Sequence, residues 1–319
     1  MPLLPTHKRL AVQAVLAAGL AGAVPDWAAG QSSDRCKSLW AQFESAVQGG
    51  NLDAADQAIA GLDRTPGCND QRVRAKEGML GHHREKAARM ERERASPAAR
   101  LEVLNSALKY ANDWNAWDIH AKIGDIKRRM PGPGGQPDYA AISLAYDAAV
   151  QAIDAAPASA KPAAAVIKRL VDLAYQFEAI SPTPVKRRGY ITRTARQINL
   201  GRTPLPLQFD YDSDRMTKAG LVQAENLLNL LKGKGMPQLR LVGHTDPKGS
   251  DDYNDGLSVR RADAIKSFLT ARDYPVGSIT TEGRGKRDID KYMPRIVDKA
   301  EYTTDQIHQM LRRVELIWE

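Results

Sequence analysis

An aspartate and an arginine fifteen residues apart, Asp246 and Arg261, are where this chain could do chemistry. Asp246 follows residues 238–243, an apolar run that reads as a strand, and Arg261 falls within residues 253–271, which read as a helix. On that helix Leu257, Arg261, Ala264, Ile265, Phe268 and Leu269 share one face by the i, i+4, i+7 rule. An arginine thus occupies a stripe that otherwise faces a core. A guanidinium there needs an anion or a path to solvent. Asp246 alone could be that anion, in an internal salt bridge. Alternatively the two frame a pocket for a zwitterion, whose ammonium meets the carboxylate and whose carboxylate meets two parallel N–H groups of the guanidinium.

Other chemistries find little support. His244 and Asp246 form a His-x-Asp, but no third ligand stands at metal spacing, so no metal is expected. Ser258 has neither a histidine at readable spacing nor a Gly-x-Ser-x-Gly turn. It is expected to cap or hydrogen-bond the loop before its helix. His82-His83 and the run 84–94, in which Arg and Lys alternate with Glu, read as a solvated, salt-bridged helix face and give no ground for nucleic acid. From Cys36 to Leu200 there is no nucleophile–base pair, no carboxylate pair in an apolar setting and no ligand cluster. No catalytic residue and no cofactor are expected.

The elements that must hold the pair follow from the hydrophobic pattern. Strands are expected at 205–211, 238–243, 278–283 and 313–318, with helices at 217–231 and 253–271. Two strand–helix units and two further strands give a sandwich with helices on one face.

Residues 243–262 run Gly243-His244-Thr245-Asp246, a loop containing Gly249, then Asn254, Leu257-Ser258 and Arg261-Ala262. In that order they resemble the signature of the OmpA-like domain, the peptidoglycan-binding module of Gram-negative envelope proteins. The resemblance covers residues 203–319, with Phe209 and Asp212-Ser213 at the opening strand and Arg312-Arg313-Val314-Glu315 at the closing one. It implies that Asp246 and Arg261 grip the amino and carboxylate groups of meso-diaminopimelate in the cell-wall stem peptide. It further implies that Thr245, Asn254, Leu257 and, at the far rim, Arg313 complete the site. The chain departs from the family in a long stretch after Gly285 and in Leu311, where the family usually has asparagine. Charge-assisted bonds of about 1.5–3 kcal/mol each give weak affinity per site, which a polymer of linked stem peptides multiplies.

Ahead of this module the chain is helical. Residues 1–30 have His7-Lys8-Arg9, an apolar run at 10–24 and the small residues Ala28-Ala29-Gly30, the pattern of a secretory signal peptide too short in its apolar core to span a bilayer permanently. The mature chain is expected in the periplasm, associated with cell wall and free of an integral membrane span. In that oxidising compartment Cys36 and Cys68, the two cysteines present, are expected to bridge the open end of a helical hairpin. Residues 31–130 read as a helical domain, weakly resembling a tetratricopeptide-type repeat around 51–62, residues 131–137 as a Pro- and Gly-rich linker, 138–200 as a helical hairpin segment and 201–319 as the OmpA-like domain. The whole is thus of α+β class: an all-α helical-hairpin region followed by a βαβαββ sandwich. Basic excess sits in the helical part, with 25 Lys+Arg against 19 Asp+Glu between residues 31 and 201 and 19 against 18 beyond. A surface of that kind serves an envelope protein partner rather than chemistry. The alternative is an enzyme acting on the cell wall that uses the C-terminal module as its targeting device.

Overall fold

The computed structural model describes residues 26–185 and 203–318. The expected signal peptide falls largely outside them, as does the basic segment 186–202. None of the described helices is long and apolar enough to cross a membrane. The chain divides into two compact units, up to Lys76 and from Glu77 onward. The expected boundaries at 131–137 and near 200 do not coincide with that division.

The first unit holds α1 (Asp26–Gln48), α2 (Leu52–Arg64) and the start of α3 (Asn69–Arg92). Gly50 turns the chain at φ +70°, and Asn51 caps α2 by accepting from the N–H of Ala54. Gly61 lets the pair close up: a Cβ there would stand 2.6 Å from Cδ2 of Leu39. Cys36 and Cys68 are bridged, their Cα atoms 5.3 Å apart. Closing a chain segment of this length stabilises by roughly 3–4 kcal/mol in the loop-entropy treatment. Paired Cys36→Ala and Cys68→Ala changes should therefore lower the melting midpoint of the first unit by several degrees, measured by calorimetry; equal midpoints with and without the bridge would show that packing alone holds the hairpin.

The second unit continues with α4 (Pro97–Ala107), α5 (Trp117–Lys127), α6 (Tyr139–Ala155) and α7 (Ala164–Ala179). Arg84 of α3 pairs with Asp118 of α5 at 2.7 Å, so one member of the charged run ties helices together rather than pairing along its own helix. Residues 131–137, the expected linker, form a tight turn. Gly132 accepts from Gly135 and donates to Gln136, and the two helices joined, α5 and α6, pack closely. Gly124 of α5 leaves room for the ring of Tyr146, whose hydroxyl donates to Asp125 at 2.8 Å.

The C-terminal part adds β1 (Thr203–Leu205), α8 (Lys218–Lys232), β2 (Leu239–Gly243), α9 (Asp251–Thr270), β3 (Ile279–Gly283), the short α10 (Ile289–Tyr292), α11 (Thr304–Leu311) and β4 (Val314–Trp318). The class is α+β. The sheet runs β1-β4-β2-β3, with β2 and β3 parallel and β4 antiparallel to both β1 and β2. The expected strand at 205–211 is shortened to the edge strand β1 and an isolated bridge between Phe209 and Met216. Pro204 and Pro206 explain it, because neither can donate to a ladder.

Helices on one face alone, and two final strands in direct succession, do not describe this sheet. Leu239, Leu241, Val314 and Leu316 meet α8 and α9 on one face in a core with Ala224, Leu228, Ile265 and Leu269. The opposite face carries Arg313 and Glu315, buried and paired at 2.8 Å, with the Arg313 guanidinium 3.7 Å from the ring centroid of Tyr292. Tyr292, Ile296, Met310 and Leu311, all from the long stretch between β3 and β4, share a second core with Ile142, Tyr146, Leu173 and Phe177 of α6 and α7. Polar bonds reinforce it: Arg295 pairs with buried Asp172 at 2.7 Å, Gln176 donates to the Arg295 carbonyl at 2.7 Å, and the Tyr175 hydroxyl donates to the Met310 carbonyl at 3.0 Å. The departure from the family pattern therefore has a structural use, which is to fasten the middle helices to the sheet domain.

Candidate functional site

The site is built where β2 ends and α9 begins. Gly243 closes β2 against α9 so tightly that a Cβ would fall 1.9 Å from the Ser258 carbonyl oxygen. Ser258 fixes the neighbouring loop, its hydroxyl accepting from the N–H of Gly285 at 2.9 Å and donating to the Asp255 carbonyl at 2.8 Å. Ser250 caps α9 by accepting from Tyr253 N–H at 3.3 Å, and Gly249 turns the connecting loop at φ +91°. Asn254 holds that loop down by donating to the Lys248 carbonyl at 2.8 Å.

Asp246 and Arg261 both line one cavity of about 270 Å³, together with Thr245, Asn254, Leu257 and Arg312. They are not salt-bridged to each other. Asp246 accepts from the Lys248 N–H at 3.0 Å and from Arg312 at 2.7 Å. Arg261 is 1 % exposed and donates through Nε to the Ser213 carbonyl at 3.0 Å, with its guanidinium carbon 5.3 Å from the Phe209 ring centroid. Its two terminal nitrogens, and the Thr245 hydroxyl, are buried without a hydrogen-bond partner among the described residues. Burial first, then the Arg312 charge, pull the Arg261 pKa down to about 10, against the opposing pull of Asp246. The side chain remains cationic at neutral pH. A buried cation with two open N–H-bearing nitrogens is what a carboxylate would satisfy.

Arg313, expected at the rim, lies elsewhere. Residues of β4 alternate faces, and Val314 and Leu316 turn towards α8 and α9, so Arg313 and Glu315 must turn away. The rim cation is Arg312, which the sequence reading passed over. The same alternation, counted back from Val314, would have assigned it. Asp212, in the opening turn, also lines the cavity and accepts from the hydroxyl of Tyr253 at 2.8 Å.

Behind the pocket His244 places Nε2 3.3 Å from Glu315. Burial lowers the His244 pKa and keeps the ring neutral. Burial would raise that of Glu315, but His244 and Arg313 outweigh it and bring it down to about 2. Both groups bind protons more readily unfolded than folded, so both make stability fall with acid. The His244 contribution is lost as pH drops below the ordinary imidazole value of about 6.5. Glu315 contributes fully above the ordinary carboxylate pKa and loses that contribution as pH falls towards about 2. Melting midpoints measured from pH 7 to 3 should decline in two stages, and Glu315→Gln should diminish the lower one, which Asp288 and Asp298, also held below the usual carboxylate range by arginines, share; a flat profile would contradict the assignment. Among the described residues, no group of three or more His, Cys, Asp or Glu side chains could hold a metal.

Comparison with known proteins places a family match over the same region. Residues 208–303 match the model of the OmpA family. Outer membrane porin F of Pseudomonas aeruginosa is 32% identical over 87 residues, which are 27% of this chain and 25% of that protein. The putative lipoprotein YfiB of Escherichia coli is 35% identical over 66 residues, 20% of this chain and 41% of its own length. The chain thus spans between a quarter and about two fifths of the length of these two curated relatives. Among solved structures, the peptidoglycan-associated lipoprotein from Burkholderia pseudomallei is 21% identical with a TM-score of 0.29, covering 35% of this chain and 88% of that one. The C-terminal region of this chain is an OmpA-like domain.

Proposed function

We propose that this is a non-catalytic envelope protein that holds peptidoglycan through its C-terminal domain and presents its helical region to a protein partner in the periplasm. The observation that carries the reading is Arg261, whose two terminal nitrogens are buried and unpartnered in the wall of a cavity that also contains Asp246. A zwitterionic end, an ammonium beside a carboxylate as in meso-diaminopimelate, supplies both complements. Its carboxylate takes the Arg261 fork and its ammonium approaches Asp246. Thr245 offers a further hydroxyl, Asn254 keeps the loop in shape, and Leu257 gives an apolar wall.

Sedimentation with purified cell wall tests this. Arg261→Lys should lower wall binding by about tenfold or more, the worth of one charge-assisted bond, and Asp246→Asn by a smaller but measurable factor, because Arg312 already pairs with that carboxylate. Wild-type binding should be competed by a stem peptide containing meso-diaminopimelate. Folded variants that sediment as well as wild type would overturn the proposal. Release of soluble muropeptides by the purified chain would instead favour a wall-cleaving enzyme.

A further inference from the structure

The cavity that holds Asp246 and Arg261 is unevenly supplied. Asp246 already has a cation, since one carboxylate oxygen accepts from Arg312 at 2.7 Å and the other from the Lys248 N–H at 3.0 Å. Among the described residues, no acceptor meets the two terminal nitrogens of Arg261. A ligand carboxylate therefore meets an open partner, whereas a ligand ammonium meets a carboxylate that a guanidinium of the same chain occupies.

Arg312 is also placed to leave. It sits between α11 and β4, and its side chain is 18 % exposed, against 1 % for Arg313 next to it. It lines a second cavity, of about 260 Å³, that shares Tyr211 and Arg312 with the first and is lined also by Gln309 and by Asp210, whose carboxylate pairs with Arg215 at 2.5 Å. A guanidinium released from Asp246 borders that space and, being partly exposed, can be taken up by water. Its departure would also remove a positive charge that acts against Arg261.

We propose that Arg312 is a built-in substitute for the ligand's ammonium, competing with it for Asp246 and thereby setting how strongly the pocket prefers an amine-bearing end over a plain carboxylate. This rests on the peptidoglycan reading, which supplies the zwitterionic end as ligand. Its consequence has an unusual sign. Shortening Arg312 should sharpen the preference for the amine, whereas shortening a residue that gripped the ligand would weaken binding.

The test uses the full chain bound to sedimented cell wall and two competitors. One is a stem tripeptide ending in meso-diaminopimelate; the other is the same tripeptide with hydrogen in place of the side-chain amine. Wild type should favour the amine-bearing peptide only modestly. Arg312→Gln should raise that ratio on the order of tenfold, as one charge-assisted bond of Asp246 passes from the protein to the ligand. The gain should come mainly from tighter binding of the amine-bearing peptide. Arg312→Met, which cannot hydrogen-bond through its end, should do the same, and thermal melting confirms that both variants are folded. A ratio that is unchanged or lower in both variants overturns the proposal. If neither peptide competes with wild type that does bind wall, the assumed ligand is wrong and the proposal falls with it. A wild-type chain that does not sediment with wall at all would instead overturn the peptidoglycan reading itself.

Discussion

Replacing Arg261 with methionine should abolish wall binding and yet raise the melting temperature of the unbound protein. The guanidinium is 1 % exposed and leaves two nitrogens without partners, so the fold bears the cost of desolvating a cation that its own residues satisfy only through Nε. Methionine fills much of the same volume without that cost. Replacing imperfectly satisfied buried charge by apolar side chains commonly stabilises by about 1–4 kcal/mol. From this must be subtracted the bond to the Ser213 carbonyl, about 1 kcal/mol, and the contact with the Phe209 ring. A net gain of about 1–2 kcal/mol would move the midpoint up by several degrees in a unit of this size. Calorimetry and wall sedimentation on the same variant give both numbers. A lower midpoint with intact binding would mean that Arg261 is a structural group and that the pocket reading is wrong. The opposite pairing, greater stability with lost binding, is the signature of a site that holds strain for its ligand.

The second large effect concerns the middle helices. A fragment of residues 203–319, the span of the resemblance, should fail to fold as an independent module. It would expose Tyr292, Ile296, Met310 and Leu311, which are 0–6 % exposed in the structure, and it would leave Arg295 without Asp172. Arg295 would be hydrated rather than left as a buried unpaired charge, so the main loss is apolar: each large side chain returned to water costs about 1.5–3 kcal/mol. Over the four residues that is comparable to the usual 5–15 kcal/mol stability of a domain. Residues 77–319, which keep α6 and α7, should melt cooperatively. Circular dichroism and two-dimensional amide spectra on both fragments decide the matter. A sharply melting fragment of 203–319 would show that α6 and α7 are an accessory to the sheet domain rather than part of its core.

Much of this protein was legible from its residues, and for identifiable reasons. The helices at 52–64, 139–155 and 218–232, and the strands β2 and β3, follow from patterns that are local: an apolar period of 3.6 or 2, caps at Asn51, Asp138 and Thr217, and breaks at Gly50 and Pro157. The cysteine pairing was also settled locally, because two cysteines allow one intramolecular bridge. Asp246 and Arg261 were legible because a charge on an apolar helix stripe is anomalous without any knowledge of the fold.

What tertiary structure decided is who touches whom. The sequence left open whether Asp246 and Arg261 pair with each other, and the fold answers that Asp246 takes Arg312 while Arg261 stays open, a choice made by the entry of β4 beside β2. It also moved the rim from Arg313 to Arg312, since the pleat of β4 sends neighbouring side chains to opposite faces. The stretch after Gly285 looked irregular because its apolar residues, Tyr292, Ile296, Met310 and Leu311, are spaced to meet α6 and α7, more than a hundred positions earlier in the chain, rather than to fit any local period. Local periodicity records a segment's own geometry, whereas contacts between distant segments leave no period to read; for this chain that difference separates the residues that could bind from the arrangement that leaves one of them open to do so.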